Sequence, residues 1–381
     1  MESQGKSGTQ IIPTASQGLA LRSSAIVARG LRDLARDSNW LIKKIFSAPC
    51  SHLTISASGQ ACGVASLAPL GRECVCLFDI ELSVPISMLA VPPDQPAGAS
   101  GLPAAFAYSP VARHLVAAWG AWPSELQAFD LQAKAFLGAF GEFSNFPESL
   151  AWSSSGRFLA AASLGASEAS VRLWEAAAES RFGLPFAGKP AAELKAPAKL
   201  DDFLGAQAPD GESGDEGTFA GFSRSAFSPD DGTLAVVARI EGEWADDWIA
   251  LLDVPTMRRQ HAFQAQGRVT DVAWAFDGQQ VIFCSAGQAY RLMADTKQPE
   301  PLPLGAELCA CHPHLPLCLC YSSWLKNSAK GRLFLMDLDR LTVFDECAAE
   351  GVVDLRWSLD GSKAYAVTAD GLAYIYEPPL V

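Results

Sequence analysis

The sequence lacks the features by which most enzymes and membrane proteins are recognised. No apolar run approaches the roughly 18–20 residues that a membrane span needs, so no membrane span is expected. There is no phosphate-binding loop, no Gly-x-Gly-x-x-Gly pattern and no Gly-x-Ser-x-Gly nucleophile motif. Only five histidines occur, and no two are spaced as zinc-protease ligands. No catalytic residue and no cofactor can be assigned from motifs.

Positive charge is also scarce. Lys and Arg total 29 against 42 Asp and Glu, which gives the chain a formal net charge of −13. Because nucleic acid is bound through Lys and Arg contacts to phosphate, the balance argues against nucleic-acid binding. An acidic surface instead steers basic partners toward it.

Ten cysteines are present, and no compact apolar signal peptide opens the chain. We therefore expect reduced thiols and a cytoplasmic location. The densest group is Cys309-x-Cys311 followed by Cys318-x-Cys320, which strand alternation places as two pairs on adjacent strands. Four thiolates can hold zinc, but this spacing is not that of a zinc knuckle. We predict a Cys-lined interior without metal; redox pairing is the other alternative.

A repeat dominates what the sequence does contain. In each copy an aromatic or large apolar residue ends a strand, a Ser, Asp or Pro turn with Gly follows, and a second apolar strand begins. A third strand ends on an acid, as in Leu173-Trp174-Glu175. The clearest copies begin at Trp152, Phe227, Trp274 and Trp357, and degraded copies begin at Ile55, Tyr108 and Cys311.

The segments "AFSPDDGTLAVVA" (226–238) and "SVRLWE" (170–175) carry a resemblance to the WD-repeat β-propeller family. The chain looks like a divergent member from about residue 40 onward. The resemblance implies an all-β fold, a seven-bladed β-propeller of four-stranded antiparallel blades. The Gly-His pair that opens such repeats is absent and most Trp-Asp dipeptides are degraded, so the family's Asp-His hydrogen-bond network is not carried over.

The repeat sets the expected domain boundaries, with a propeller over 38–381 and a tail over 1–37. A long interval between two turns predicts an insertion at about 176–221, whose acidic tract favours a solvated loop over a calcium site. Residues 1–18 are expected to be disordered. The residue pattern of 19–37 predicts an amphipathic, Arg-rich helix that docks on a partner or packs on the propeller. An organelle-targeting segment and disorder are the alternatives.

The last blade has only three strands of its own, over about 353–376. The segment 40–46 patterns as a lone strand just before the first blade. We predict that it supplies the missing outer strand and seals the ring, because an uncovered strand edge invites aggregation. A free amphipathic strand is the alternative.

Tryptophan divides into two groups. Trp152, Trp274 and Trp357 occupy one repeat position together with Phe227 and are expected in the core. The second group is predicted in connections between second and third strands, where aromatics act as binding anchors unless they fold back on their own blade. The predicted partner-binding residues are Trp122, Trp244, Asp246, Asp247, Trp248 and Trp324.

These features predict a non-catalytic protein–protein interaction scaffold that binds a protein partner of basic character, as part of a complex, through its loop face. The alternative is a propeller-type hydrolase or lyase that acts at the central mouth. Such an enzyme needs titratable residues on the inner strands, and the sequence offers little there beyond Asp271, Asp354 and Arg356. We therefore do not expect an enzyme.

Overall fold

The computed structural model is all-β. It describes residues 10–11, 40–45, 51–56, 59–67, 72–90, 103–111, 114–119, 124–145, 147–165, 168–176, 186, 189–197, 202–203, 218–242, 245–294, 298–323 and 331–378. Within these ranges no helix is long and apolar enough to cross a membrane. The predicted amphipathic helix over 19–37 and the acidic tract at 210–216 lie outside them.

The chain begins with two strands, β1 (Gln10–Ile11) and β2 (Trp40–Lys44), which join the last sheet. Sheets 1 to 3 then follow, each antiparallel and four-stranded. Sheet 1 contains β3 (Ser51–Ile55), β4 (Gln60–Leu67), β5 (Arg72–Asp79) and β6 (Val84–Ala90). Sheet 2 contains β7 (Pro103–Tyr108), β8 (His114–Trp119), β9 (Ser124–Asp130) and β10 (Ala135–Phe143). Sheet 3 contains β11 (Pro147–Trp152), β12 (Phe158–Ser163), β13 (Ser170–Glu175) and β14 (Ala192–Lys195).

Sheets 4 to 6 have the same strand order. Sheet 4 contains β15 (Phe219–Phe227), β16 (Thr233–Ile240), β17 (Trp248–Asp253) and β18 (Arg258–Gln264). Sheet 5 contains β19 (Val269–Trp274), β20 (Gln280–Ser285), β21 (Gln288–Met293) and β22 (Glu300–Pro301). Sheet 6 contains β23 (Leu308–Cys311), β24 (Leu317–Ser322), β25 (Arg332–Asp337) and β26 (Thr342–Ala348). Sheet 7 contains β27 (Val352–Trp357), β28 (Ala364–Thr368), β29 (Leu372–Tyr376), β2 and β1.

The sheets meet along their first strands. The first strand of each sheet contacts those of the sheets before and after it, and β27 of sheet 7 contacts β3 of sheet 1. The apolar clusters lie between consecutive sheets; one joins Ile282 and Cys284 of sheet 5 to Cys318 and Met336 of sheet 6. In a β-propeller, small antiparallel sheets pack face to face around a centre, and their first strands contact one another there.

The pairing predicted for segment 40–46 is present in sheet 7. β2 runs antiparallel to β29, with Trp40 opposite Tyr376 and Lys44 opposite Leu372. Trp40 is fully buried, and its ring centroid lies 5.0 Å from that of Tyr376. Lys44 is exposed at the other end of the strand. An amphipathic strand with one apolar face thus covers an edge that would otherwise be open.

One expectation about an irregular segment needs correction. Gln10 and Ile11, predicted to be disordered, form β1 and pair with Ile42 and Leu41 of β2. The segment 176–221, predicted as an insertion, is described only in part, and that part includes β14, the fourth strand of sheet 3. Its Phe186 is buried and stacks on Phe140 at 4.8 Å. The sequence pattern missed β14 because this strand, AELK, is only four residues long and only partly buried, so its apolar alternation is too short to stand out.

The turn after each first strand explains the repeat. In sheet 4 the Ser228 hydroxyl donates to Asp230 and accepts from the Thr233 N–H at 2.9 Å. Ser358 and Asp360 repeat this arrangement in sheet 7. The extra residue of the sheet 4 copy puts Asp231, rather than glycine, at positive φ (59°). The short polar side chain of Asp tolerates this left-handed conformation better than a bulky residue would.

Candidate binding site

A cavity of about 690 Å³ lies where the first strands converge. Every sheet contributes at least one residue to its wall, and the turns after the first strands of sheets 2 to 7 line its mouth. Cavities of this size on propellers and other folds accept small ligands or side chains of a partner. The chemistry of the wall and of the mouth therefore decides what this end of the molecule can do.

The repeat tryptophans hold neighbouring sheets together. The indole N–H of Trp152 donates to the carbonyl oxygen of Ala107 in sheet 2, at 3.3 Å. Trp274 donates to Ala226 of sheet 4 at 3.0 Å, and Trp357 to Ala310 of sheet 6, also at 3.0 Å. Trp274 and Trp357 are buried, and Trp152 is partly buried. The expectation that these residues belong to the core is confirmed, and each also bonds to the preceding sheet.

A second position, three residues before the repeat aromatic, connects sheets 3, 4, 5 and 7 each to the sheet that follows. The Asp271 carboxylate accepts the N–H of Cys309 in sheet 6 at 2.9 Å. Asp354 accepts the N–H of Ile55 in sheet 1 at 2.7 Å. At the same position Arg224 donates its Nε–H to the Thr270 carbonyl at 2.9 Å, and the Ser149 hydroxyl lies 2.9 Å from that of Ser225.

The environment of these carboxylates shifts their acidity. Burial raises the pKa of Asp271 to about 6, against the opposing effects of the Cys309 N–H and of Arg224. Burial also raises the pKa of Asp354, while Arg356 opposes the shift. Asp271 and Asp354 had been the polar inner-strand residues considered for a catalytic mouth. Their oxygens instead accept backbone N–H groups, which fits a structural role between the sheets.

The turns at the cavity mouth form what we call the rim: residues 109–111, 153–156, 228–232, 275–278, 312–315 and 358–361. Four of its side chains are apolar and exposed: Val111 (66%), Phe276 (36%), Leu315 (41%) and Leu359 (48%). Turns normally carry small polar residues at such positions. The rim is not among the predicted binding residues, although Phe276 and Leu359, each two positions after the repeat tryptophan, were a visible signal.

Two of the predicted partner-binding residues are buried, so the prediction that they are exposed is wrong. Trp248 is the first residue of β17 and is 7% exposed, packed in the cluster between sheets 3 and 4. Asp247 is fully buried. Its carboxylate accepts from Arg268 Nη1 at 2.6 Å and from the Val269 N–H at 2.9 Å. Both side chains hold sheet 4 together with its neighbours rather than facing a partner.

Asp246, by contrast, is partly accessible and bonds to the end of β18 and to the connection that follows it. It accepts the Gly267 N–H at 2.7 Å and the Gln264 side-chain amide at 3.1 Å. The remaining residues predicted to bind a partner, Trp122, Trp244 and Trp324, lie outside the described ranges.

The cysteine pairs lie as the alternation predicted. Cys309 faces Cys320 and Cys311 faces Cys318 across β23 and β24. The sulfur atoms of Cys311 and Cys318 are 3.9 Å apart, and those of Cys318 and Cys320 are 3.6 Å apart. Burial raises the pKa of the nearby Cys284 thiol to about 12, which keeps it protonated and poorly nucleophilic. In the described part of the chain no three His, Cys, Asp or Glu side chains are arranged to hold a metal ion.

Comparison with known proteins supports the fold. No family model and no curated protein matches the sequence. A chain of the mitotic checkpoint complex aligns with 88% of this chain and 94% of its own length, at 11% identity and a TM-score of 0.59. A chain of Kuenenia stuttgartiensis hydrazine synthase aligns over 87% and 96%, at 14% identity and a TM-score of 0.62. At these identities the likeness concerns the fold alone: the protein has a β-propeller-like all-β structure.

Proposed function

We propose that the chain is a seven-bladed β-propeller sealed by β2, and that it works as a non-catalytic scaffold that binds a protein partner. The observation that carries the proposal is the rim, where exposed apolar side chains stand in turns that usually carry polar ones. The net charge of −13 favours a partner of basic character. One of the structural neighbours belongs to a multiprotein assembly, the mitotic checkpoint complex.

The sheet contacts support the seven-bladed ring. Seven antiparallel sheets are found in the described residues, and their first strands touch in succession from β3 to β27 and back to β3. β2 covers β29 as the fourth strand of the last sheet. A ring closed in this way leaves few open strand edges and presents rigid turns for binding.

Native affinity purification tests the scaffold function. The full chain, tagged at its C-terminus and expressed at its native level, is isolated and its mass is measured by light scattering. A scaffold elutes as a complex heavier than its own 40.4 kDa, with a partner in fixed stoichiometry at low salt. If the chain purified from its native source elutes alone at every salt concentration, the proposal is wrong.

A hydrolase or lyase acting at the mouth is the second candidate, because Asp271 has a raised pKa and lines the cavity. The two Asp271 oxygens accept the N–H groups of Cys309 and Val272, which weighs against a free general acid or base. If the chain were an enzyme of this kind, Asp271→Asn would abolish turnover while the complex with a partner stayed intact.

A further inference from the structure

The rim combines two kinds of side chain. Its exposed apolar side chains, Val111, Phe276, Leu315 and Leu359, share the mouth with carboxylates. The rim carboxylates are Asp230, Asp231, Asp277 and Asp360. Hydrogen bonds from Ser358 and Ser362 lower the pKa of Asp360 to about 2, so it is ionised at neutral pH. The rim is therefore both apolar and acidic.

The acidic character of the rim is not neutralised by nearby cations. Arg157 pairs with Glu175 at 2.7 Å, and Lys363 pairs with Glu81 at 2.7 Å. In the part of the chain that the structure describes, none of the four rim carboxylates forms an ion pair. They instead accept backbone N–H groups and hydroxyls, as Asp277 does from Gln279 at 2.9 Å.

Inside the mouth the charges balance. Arg224 and Arg356 line the cavity together with Asp271 and Asp354. The acidic bias therefore belongs to the rim and not to the cavity wall. A ligand that enters the cavity meets a wall in which two Arg accompany two Asp, whereas the groups beside it meet carboxylates.

The rim is also held rigid by bonds between turns of neighbouring sheets. The N–H of Ser154 in sheet 3 donates to Asp231 of sheet 4 at 2.8 Å. In sheet 6, His312 Nε2 lies 3.1 Å from the Gly361 carbonyl oxygen of sheet 7. Gly361 permits this approach, because a Cβ there would lie 2.3 Å from the imidazole. A preformed surface loses little conformational entropy when it binds.

We propose that the rim binds a segment of a partner protein that inserts a large apolar side chain at the cavity mouth and flanks it with Lys or Arg. This inference rests on the proposed scaffold function and names its site and its partner chemistry. The inserted side chain contacts Phe276 and Leu359, which both line the cavity. The flanking cations face Asp277 and Asp360, each next to one of these apolar residues in the sequence.

Charge selects this occupant over others. A second copy of the chain would bring two acidic rims together, and like charges at an interface are unfavourable. Anionic lipid and nucleic acid are repelled for the same reason. A basic segment with an apolar anchor complements both the carboxylates and the apolar side chains of the rim.

A peptide library displayed on phage tests the chemistry without a known partner. Random 16-residue peptides are selected on the purified full chain, and a synthetic copy of the strongest binder is titrated by fluorescence anisotropy. We expect selected peptides to share an aromatic or aliphatic residue next to Lys or Arg. Selected peptides that lack basic residues, or a selection without any enrichment, contradict the proposal.

Rim variants locate the binding surface. Replacing both Phe276 and Leu359 by Ser should weaken peptide binding at least about tenfold. Phe136→Ser is the matched control, because Phe136 is similarly exposed (38%) but lies on the outer strand β10. The control should change affinity by less than about twofold. Equal loss in both variants, or no loss in the rim variant, contradicts the assignment.

Acid variants test the charge requirement independently of apolar contact. Asp277→Asn with Asp360→Asn should slow association and flatten its salt dependence, because Coulomb attraction is screened by salt. If the Ser variants lower the melting temperature, their loss of binding cannot be assigned to the rim, and the Asn variants then test the rim by themselves. An unchanged salt dependence contradicts the role of the rim carboxylates.

The same variants separate the two proposals in the native complex. If the partner co-purifies with wild type and is lost from the Phe276→Ser, Leu359→Ser variant, both proposals stand. If the partner stays with this variant, the scaffold function stands and the rim is not its site. If wild type carries no partner, the scaffold function itself is wrong.

Discussion

Trp357 donates its indole N–H to the carbonyl oxygen of Ala310, across the boundary between sheets 6 and 7. The same bond joins Trp274 to Ala226 and Trp152 to Ala107. A side chain that belongs to the core of one sheet thus satisfies a backbone acceptor of the sheet before it. The repeated tryptophan contributes to the association of sheets as well as to their interior.

Trp357→Phe should therefore destabilise the protein by more than its loss of apolar area alone. It removes the indole hydrogen bond to the Ala310 carbonyl, which also lies in the β23–β24 ladder opposite Leu319, and one such bond contributes about 0.5–1.5 kcal/mol. Urea unfolding measures the change. Trp40→Phe is the matched control, because the buried Trp40 Nε1 has no hydrogen-bond partner in the described residues. Equal losses in the two variants would show that the inter-sheet bond contributes nothing.

Removal of the N-terminal strand should expose the edge of β29. Deleting residues 1–45 removes Trp40, and loss of a buried Trp side chain alone costs about 3–5 kcal/mol. Thermal unfolding and light scattering should show a lower melting temperature and new aggregation. Deleting residues 1–9 leaves β1 and β2 in place and serves as the control. If both truncations melt together, β2 does not stabilise the last sheet.

Asp247→Ala should destabilise the protein rather than merely weaken binding. It leaves Arg268 without its 2.6 Å partner and the Val269 N–H without an acceptor. Because Arg268 stays partly exposed to water, the main loss is the unpaired Val269 N–H, which costs about 1–3 kcal/mol. Asp246→Ala, at a partly accessible neighbour, should cost less, about 1 kcal/mol for its bond to the Gly267 N–H. Circular dichroism during urea unfolding measures both; a stable Asp247→Ala variant would place that side chain outside the core.

The raised pKa of Asp271 predicts a specific pH dependence. Its folded pKa of about 6 lies above the usual value of 3.8 for an Asp side chain, so the folded state binds the proton more tightly. The stability that this group contributes is present below pH 4 and is lost as pH rises through 6, by up to about 3 kcal/mol. In Asp271→Asn this decline between pH 4 and 6 should disappear. Asp360→Asn is the control, because its pKa of about 2 lies outside that interval.

His312 should give the opposite dependence. Burial lowers its pKa to about 4, from 6.5. Its Nδ1 accepts hydrogen bonds from the N–H groups of His314 and Leu315, at 2.9 and 3.0 Å. A proton on Nδ1 would remove this acceptor and break both bonds. The stability it contributes is present above pH 6.5 and is lost as pH falls toward 4, by up to about 3 kcal/mol. In His312→Gln this loss should be smaller. An unchanged slope in urea unfolding from pH 4 to 6.5 would contradict the assignment.

Much of the fold was readable in the sequence because the information is local and repeated. An aromatic residue, a Ser or Asp turn and an apolar strand recur in the chain, and each element follows from turn chemistry and strand alternation. The same alternation predicted that the pairs Cys309/Cys311 and Cys318/Cys320 lie on adjacent strands. It also predicted the pairing of Trp40 with the last sheet, because one uncovered edge and one unpaired strand complement each other.

The exposure of individual side chains was decided only by the tertiary structure. Trp248 and Asp247 follow the acidic, aromatic segment that starts at Glu241, and nothing local distinguishes them from exposed loop residues. Asp247 is buried because Arg268 and Val269, more than twenty residues away, reach its carboxylate. The rim, in turn, exists only where turns from different sheets converge around one cavity. Local sequence determines which strands and turns form, whereas burial depends on the distant residues that packing brings together.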